Sequence, residues 1–353
     1  MRAYIRSAAS ISAQNTFGNV LFLEELIEYQ SSRLKVIEPD YRNYIDPKLI
    51  RRMSRIIRMG VAAAKECLQQ GNVTQPDAII TGTAYGCLED TGVFLSRMIE
   101  QQEEALSPTA FIQSTHNTVA AQIALMLQCH QYNNTFVHKG FSFESALLDA
   151  VMLLQEQEAK NILVGAADEL TDASFAILNR FDPYKKEAVS NLNLYQSNSP
   201  GTIAGEGTAF FLLGADSAPN DLAVLEGLET FYKPTTADEI AQRIQQFLSA
   251  NDLKPEYIDV VLTGKNGDRQ TAQSIDEWTE QLFSSDKVIN YKHLSGEYPT
   301  ASSFALWLAV NMVKQQLIPK GVSKADNHKS IKRILIANQY KNKYYSLMLV
   351  SAV

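Results

Sequence analysis

Short runs of β-branched and aliphatic residues alternate along the chain with longer stretches of helical periodicity, the pattern of an α/β protein. The short runs predict strands at Ala3–Ser7, Ala78–Thr81, Thr135–His138, Ile162–Ala166 and Ala209–Leu213. A second set is predicted at Val224–Leu228, Asp259–Thr263, Lys287–Asn290, Arg333–Ala337 and Tyr344–Val350. Helices are expected near residues 54–69, 90–102, 117–128, 144–157, 236–250, 271–283 and 302–316. Three of these, at Val119–Leu127, Ala146–Leu154 and Ala305–Val313, are apolar on nearly every face, as helices enclosed in a core are.

The two sets of strands follow a similar order, each ending in a buried run (NILVGAAD, KRILIAN) and a later one (TAFFLL, YYSLMLV). With no residue-level repeat visible, element order alone suggests two α/β halves, 1–215 and 222–353. The stretch between them, ADSAPND, has turn chemistry. Two parallel sheets with helices between and outside them would accommodate the enclosed helices. They would also gather strand ends and helix N-termini at one central site.

Composition narrows the class. The 353 residues are 45% apolar and 20% charged, ordinary for a globular chain. No apolar run is long enough to span a bilayer, and the N-terminus lacks the apolar core of a signal peptide, so a cytoplasmic location is expected. A net charge of -7 argues against nonspecific nucleic-acid binding. Cys67, Cys87 and Cys129 have no zinc-type spacing; no metal and no cofactor are expected. His116 and His130 flank an apolar helix and read as core or interface histidines.

Three segments carry a family resemblance: IITGTAYGCLED, SPTAFIQSTHNTVAAQIALML, and NNTFVHKGFSFESALLDAVMLLQ with NILVGAADE. Together they resemble β-ketoacyl-acyl-carrier-protein synthases, and GTIAGEGTAFFLL and VINYKHLSGEYPTASS extend the likeness toward the C-terminus. The resemblance implies a thiolase-like fold, two duplicated α/β halves layered α-β-α-β-α. It also implies decarboxylative condensation by a cysteine at a helix N-terminus, with two histidines stabilising the enolate.

Matched position by position, the resemblance places the nucleophile on Gly140, the first histidine on Gly264 and the second on Glu297. The family lysine persists as Lys292, but the glutamate beyond it is Leu306. The C-terminal Gly-Phe-Gly-Gly loop is replaced by Gln339-Tyr340-Lys341-Asn342-Lys343. No condensing chemistry by the family route is expected, because a carboxylate at 297 would repel an enolate. Gly140 also suits a plain strained turn. Cys87 and Cys129 read as small hydrophobes. Ser142, in a near miss to G-x-S-x-G, is the fallback nucleophile, set against a capping role. Lys292 and Glu297 form either a buried ion pair, which Lys265 and Asp268 could join, or a solvated loop. Glu206 reads as a turn-fixing carboxylate and Glu144 as a favourable charge at a helix start.

The resemblance further implies an acyl-pocket and interface set of Tyr85, Ala110, Phe111, His116 and Asn117. Tyr85 either closes a tunnel or fills space left by lost groups. Arg51 and Arg52 match a helix that docks the acyl carrier protein, whereas the position of the family's other basic pair holds Ala105-Leu106, with Glu103 and Glu104 upstream. The partner implied is an active ketosynthase paralogue, or a second copy of the chain, paired around Asn134–His138. The chain most resembles a chain length factor, the subunit that lacks the nucleophile and shapes its partner's tunnel. Two alternatives are an acyl hydrolase or transferase using Ser142 or Glu297, and a homodimeric acyl-binding protein.

Overall fold

A computed structural model of the chain describes residues 2–18, 21–181, 183–197, 199–323 and 330–353. The first five long strands are β1 (Ala3–Ile11), β2 (Ala78–Gly82), β3 (Tyr132–Phe136), β4 (Asn161–Asp168) and β5 (Gly207–Gly214). The second five are β6 (Ala223–Tyr232), β7 (Val260–Thr263), β8 (Val288–Asn290), β9 (Arg333–Tyr340) and β10 (Tyr344–Ser351). The helices are α1 (Arg55–Gln70), α2 (Leu88–Glu100), α3 (Pro108–Gln113), α4 (Thr118–Leu127) and α5 (Ser142–Gln155), then α6 (Asp172–Asn179), α7 (Ala237–Ala250), α8 (Arg269–Leu282), α9 (Lys292–Ser295) and α10 (Ser302–Gln315).

The expectation of two separate parallel sheets is corrected. One ten-stranded ladder runs β8-β7-β9-β10-β6-β1-β5-β4-β2-β3. Its two five-strand sets are joined by an antiparallel pair in which Ala3, Tyr4 and Ile5 face Leu225, Val224 and Ala223. Pairing is mixed: β2 runs parallel to β3 and β4, β7 runs parallel to β8 and β9, and the inner pairs are antiparallel. Each set has the same spatial order, its first strand beside its last.

A residue-level tie accompanies that order. Asp77 precedes β2, and its Oδ2 accepts the N–H groups of Lys160 and Asn161, both at 2.9 Å. Asp259 precedes β7, and its Oδ2 accepts those of Lys332 and Arg333 at 2.7 and 2.9 Å. Each carboxylate satisfies two backbone donors where a neighbouring strand begins.

Helix α10 is enclosed, as its sequence predicts. Phe304, Leu306 and Leu308 are fully buried in a core that also takes Leu147 and Val151 of α5 and strand residues of both sets, such as Ile80 and Ile336. On the opposite face α1 and α4 pack on Leu163, Phe210 and Leu212, while α7 and α8 pack on Val261, Leu335 and Leu347. Enclosure fails for α4 and in part for α5. Leu125 is 70% exposed, and Leu148 and Met152 also face outward. No helix among the described residues is long and apolar enough to cross a membrane.

Strand β3 begins three residues earlier than predicted and ends two earlier, at Phe136. The reason is its edge position: Asn133 and Asn134 are tolerated where side chains meet solvent, and Asn133 Nδ2 donates to Ala120 O at 3.1 Å.

Candidate functional site

The corner between β3 and α5 is a short 3-10 turn, Lys139–Phe141. Its left-handed residue is Lys139, at φ 54°, whereas Gly140 is not at positive φ. Backbone strain therefore does not explain the glycine. Close approach does. A Cβ on Gly140 would lie 2.8 Å from Tyr344 Cβ and 3.0 Å from Tyr340 Cδ1, nearer than real contacts allow. Tyr344 belongs to an aromatic cluster with Phe141 (centroids 5.0 Å apart), Tyr232 (5.1 Å) and Tyr340 (6.2 Å). Tyr85 interacts with Tyr340, whose phenol is raised well above its usual range, first by burial and then by Tyr85.

Gly264 is walled in the same way: a Cβ there would meet Gln339 N at 2.6 Å and Asn338 Oδ1 at 3.0 Å. Gln339 is buried and its Nε2 donates to Gly264 O at 3.0 Å. Residues 338–344 thus fill the space beside both glycines.

Lys292 and Glu297 form a buried ion pair, Nζ to Oε2 2.8 Å, and Nζ also donates to Gln339 O. The solvated-loop alternative is thereby set aside. Lys265 does not join the pair: it binds Asp276 at 2.5 Å. Asp268 accepts the N–H of Gly201 at 2.7 Å. Burial raises the Glu297 carboxyl, opposed by Lys292, and lowers the Lys292 ammonium, opposed by Glu297. Glu144 is a second buried carboxyl near this pair, more than a charge at a helix start. Its Oε1 accepts from Ser346 Oγ at 2.7 Å, and burial raises its pKa. Leu306 is plain core.

A cavity of about 550 Å³ reaches the pair from outside, lined by Tyr184, Asn266, Asp268, Glu297, Tyr340 and Lys341 among others. Neither Gly140 nor Ser142 lines it. Ser142 is wholly buried. Its Oγ donates to Lys139 O at 2.8 Å and accepts from His138 N at 2.9 Å, which is corner-fixing rather than nucleophile geometry. The nearby imidazole of His138 instead meets Ser145 Oγ at 2.9 Å.

The remaining predicted residues scatter. Phe111 is 56% exposed, against Phe94 at 5.7 Å; Ala110 is half-buried on α3, and His116 and Asn117 are exposed. These four form surface around α3 and α4, not an enclosed pocket with Tyr85. His130 is likewise exposed. Arg51 and Arg52 are exposed, but they occupy a turn ahead of α1 rather than a helix. Their neighbour Arg55 turns inward and grips the buried Glu206, whose oxygens also accept from Val36 N at 3.2 Å and Leu170 N at 2.8 Å. Glu206 is therefore a buried structural carboxylate that ties distant segments at 36, 55 and 170 together, rather than one bonded within its own turn. Cys87 and Cys129 are buried, and burial raises the Cys87 thiol.

Two polar residues escaped the sequence reading. His293 is buried, with Nδ1 3.2 Å from Tyr195 Oη. Glu169 is buried at the end of β4 beside a second cavity. Only their placement directly after Lys292 and Asp168 hinted at either.

The β-ketoacyl synthase N-terminal domain profile matches residues 31–194. No curated protein matches the sequence. Among solved structures, the ishigamide ketosynthase/chain length factor aligns at TM-score 0.79 and 16% identity, over 100% of this chain and 99% of that one. A ketosynthase in complex with its chain length factor from Xenorhabdus doucetiae aligns at 0.75 and 14%, over 99% and 98%. A type II polyketide acyl-carrier protein in complex with its ketosynthase bound to the hexaketide aligns at 0.73 and 14%, over 100% and 99%. At such identities the likeness is one of fold. Residues 31–194 thus match the β-ketoacyl synthase N-terminal domain, and the chain as a whole has the thiolase-like fold of these ketosynthase structures.

Proposed function

We propose that this chain is a non-condensing ketosynthase-like subunit that pairs with an active ketosynthase and shapes the acyl tunnel of that partner. The observation that carries the reading is Gly140: the corner that would hold a nucleophile has no side chain, and Tyr340 and Tyr344 occupy the space. A synthase site needs a thiolate and hydrogen-bond donors where negative charge develops. Here the donor positions hold Gly264 and Glu297.

Pairing through β3 is supported by its free edge and by the exposed apolar side chains beside it, among them Leu125, Val137 and Leu148. Such a patch is characteristic of an interaction surface. The exposed Phe111 and Ile112 extend it toward α3. Structures of ketosynthases paired with chain length factors among the fold relatives support the same role. Arg51 and Arg52 remain the proposed contact for an acidic carrier protein, and residues 1–215 and 222–353 the two halves of a duplicated chain.

Co-expression with candidate ketosynthases, co-purification, and intact-mass analysis after feeding acyl carrier protein loaded with malonyl or acyl groups test this. A stable complex acylated only on the partner is the expected result. Acylation of this chain alone, lost in Ser142→Ala or Glu297→Gln, would replace the reading with an acyl hydrolase or transferase.

A further inference from the structure

A second cavity, of about 280 Å³, lies away from the corner, between the chain at 35–38, the starts of α1 and α2, and the end of β4. The charged residues lining it are Lys35, Glu38, Arg55, Glu89, Glu169 and Asp172. Several of these charges are already committed: Arg55 to Glu206, Asp172 to Arg33, and Glu38 to Arg58 at 4.0 Å. Glu89 and Glu169 form no ion pair among the described residues.

Glu169 is only 4% exposed. Its Oε1 accepts the backbone N–H of Glu89 at 3.0 Å, at the start of α2. Its Oε2 is buried with no hydrogen-bond partner. A buried carboxyl oxygen left without a donor is costly, and a cavity wall is where a donor from outside can supply what is missing. No three His, Cys, Asp or Glu side chains among the described residues converge as a metal site.

We propose that this cavity binds an alkylammonium group, with Glu169 Oε2 as its acceptor and Glu89 as the second negative charge at the mouth. Three N–H donors on a compact cation suit one buried acceptor and one exposed carboxylate. The site is independent of pairing with a ketosynthase. The same chemistry is available from a free amine or from the lysine of a partner protein.

Binding is coupled to a proton. Burial raises Glu169 to about 7, with Glu89 and Glu206 reinforcing the shift and the Glu89 N–H and Arg55 opposing it. Glu38 also acts through its charge on Arg55, Lys35 on Asp172, and Glu169 on the Cys87 thiol. An ammonium ion binds the ionised carboxylate and displaces its proton to solvent. Affinity should then fall about tenfold for each pH unit below the Glu169 midpoint and level off above it.

The test follows the Glu169 carboxyl by carbon-13 NMR while the intact chain is titrated with propylammonium, Nα-acetyl-lysinamide and, as an uncharged control, propanol. The expected result is saturable binding of one or both amines, none of propanol, and a Glu169 midpoint lowered by a unit or more. Whichever amine binds more tightly identifies the source. Glu169→Gln should lose at least tenfold in affinity, and the exposed Glu89→Gln, which leaves the core untouched, several-fold. Equal binding of amine and propanol, a pH-independent affinity, or unchanged affinity in both variants would overturn the proposal.

Discussion

Lys292 Nζ and Glu297 Oε2 stand 2.8 Å apart with both side chains almost wholly removed from solvent. The pair gains Coulomb energy in a low-dielectric site but forfeits the hydration of two ions. Removing one member leaves the other charge buried alone. Lys292→Met should therefore cost about 3–5 kcal/mol, read from chemical denaturation. The double change Lys292→Met with Glu297→Leu should recover most of it.

A cysteine placed at the corner should not by itself confer condensation. Gly140→Cys forces a side chain against Tyr344 and Tyr340, and overpacking of this kind costs about 1–3 kcal/mol. The melting temperature should fall, and malonyl decarboxylation by the purified variant should stay at background.

Ser142 separates a structural corner from a hydrolase. Its Oγ bonds two backbone groups of the same turn. Ser142→Ala should cost on the order of 1 kcal/mol, as loss of a helix-end bond does, while any thioester turnover stays unchanged. A large drop in turnover without loss of stability would contradict this.

His293 should shape the acid limb of stability. Burial lowers its pKa from 6.5 to about 4, so the folded chain binds this proton less readily than the unfolded chain. The contribution is fully present above pH 6.5 and is lost as pH falls toward 4, amounting to on the order of 3 kcal/mol. Thermal melts between pH 7 and 4 should flatten in His293→Gln relative to the parent.

The β3 edge can be tested without touching the core. Leu125 is 70% exposed, so Leu125→Glu should leave the fold and melting temperature nearly unchanged. Sedimentation velocity should show weaker pairing by tenfold or more, because a charge is desolvated at an apolar contact.

Strand positions were legible because buried runs such as Ile162–Ala166 and Arg333–Ala337 are β-branched and bounded by turns. The corner and the close packing at Gly140 and Gly264 stand at positions that the sequence singles out, as does the buried Glu297. What filled the space was not legible. Tyr340 and Tyr344 come from a turn far away in sequence, and only packing shows that they meet Gly140. Helix α6 went unrecognised because its eight residues hold too few turns for periodicity to show, although Thr171 and Ser174 form a capping box. The join of the two sheets rests on backbone pairing between Ala3–Ile5 and Ala223–Leu225, which leaves no side-chain signature. The repeat of Asp77 in Asp259 was written in plain sight as QPDAII and YIDVVL, but two short strings do not stand out until their carboxylates are seen performing the same bond.

The tyrosine packing at Gly140 also bears on reversibility. A lost nucleophile can ordinarily be regained by one codon change, provided its cradle stays empty. Here the cradle is occupied by Tyr344 and Tyr340, Gln339 fills the place beside Gly264, and Glu297 is held by Lys292. On the proposed reading, a route to condensing chemistry would have to displace these groups together, because a cysteine alone at 140 meets Tyr344 and Tyr340. If the proposed non-condensing role holds, the chain's own core would keep it in that form without continuing selection against chemistry.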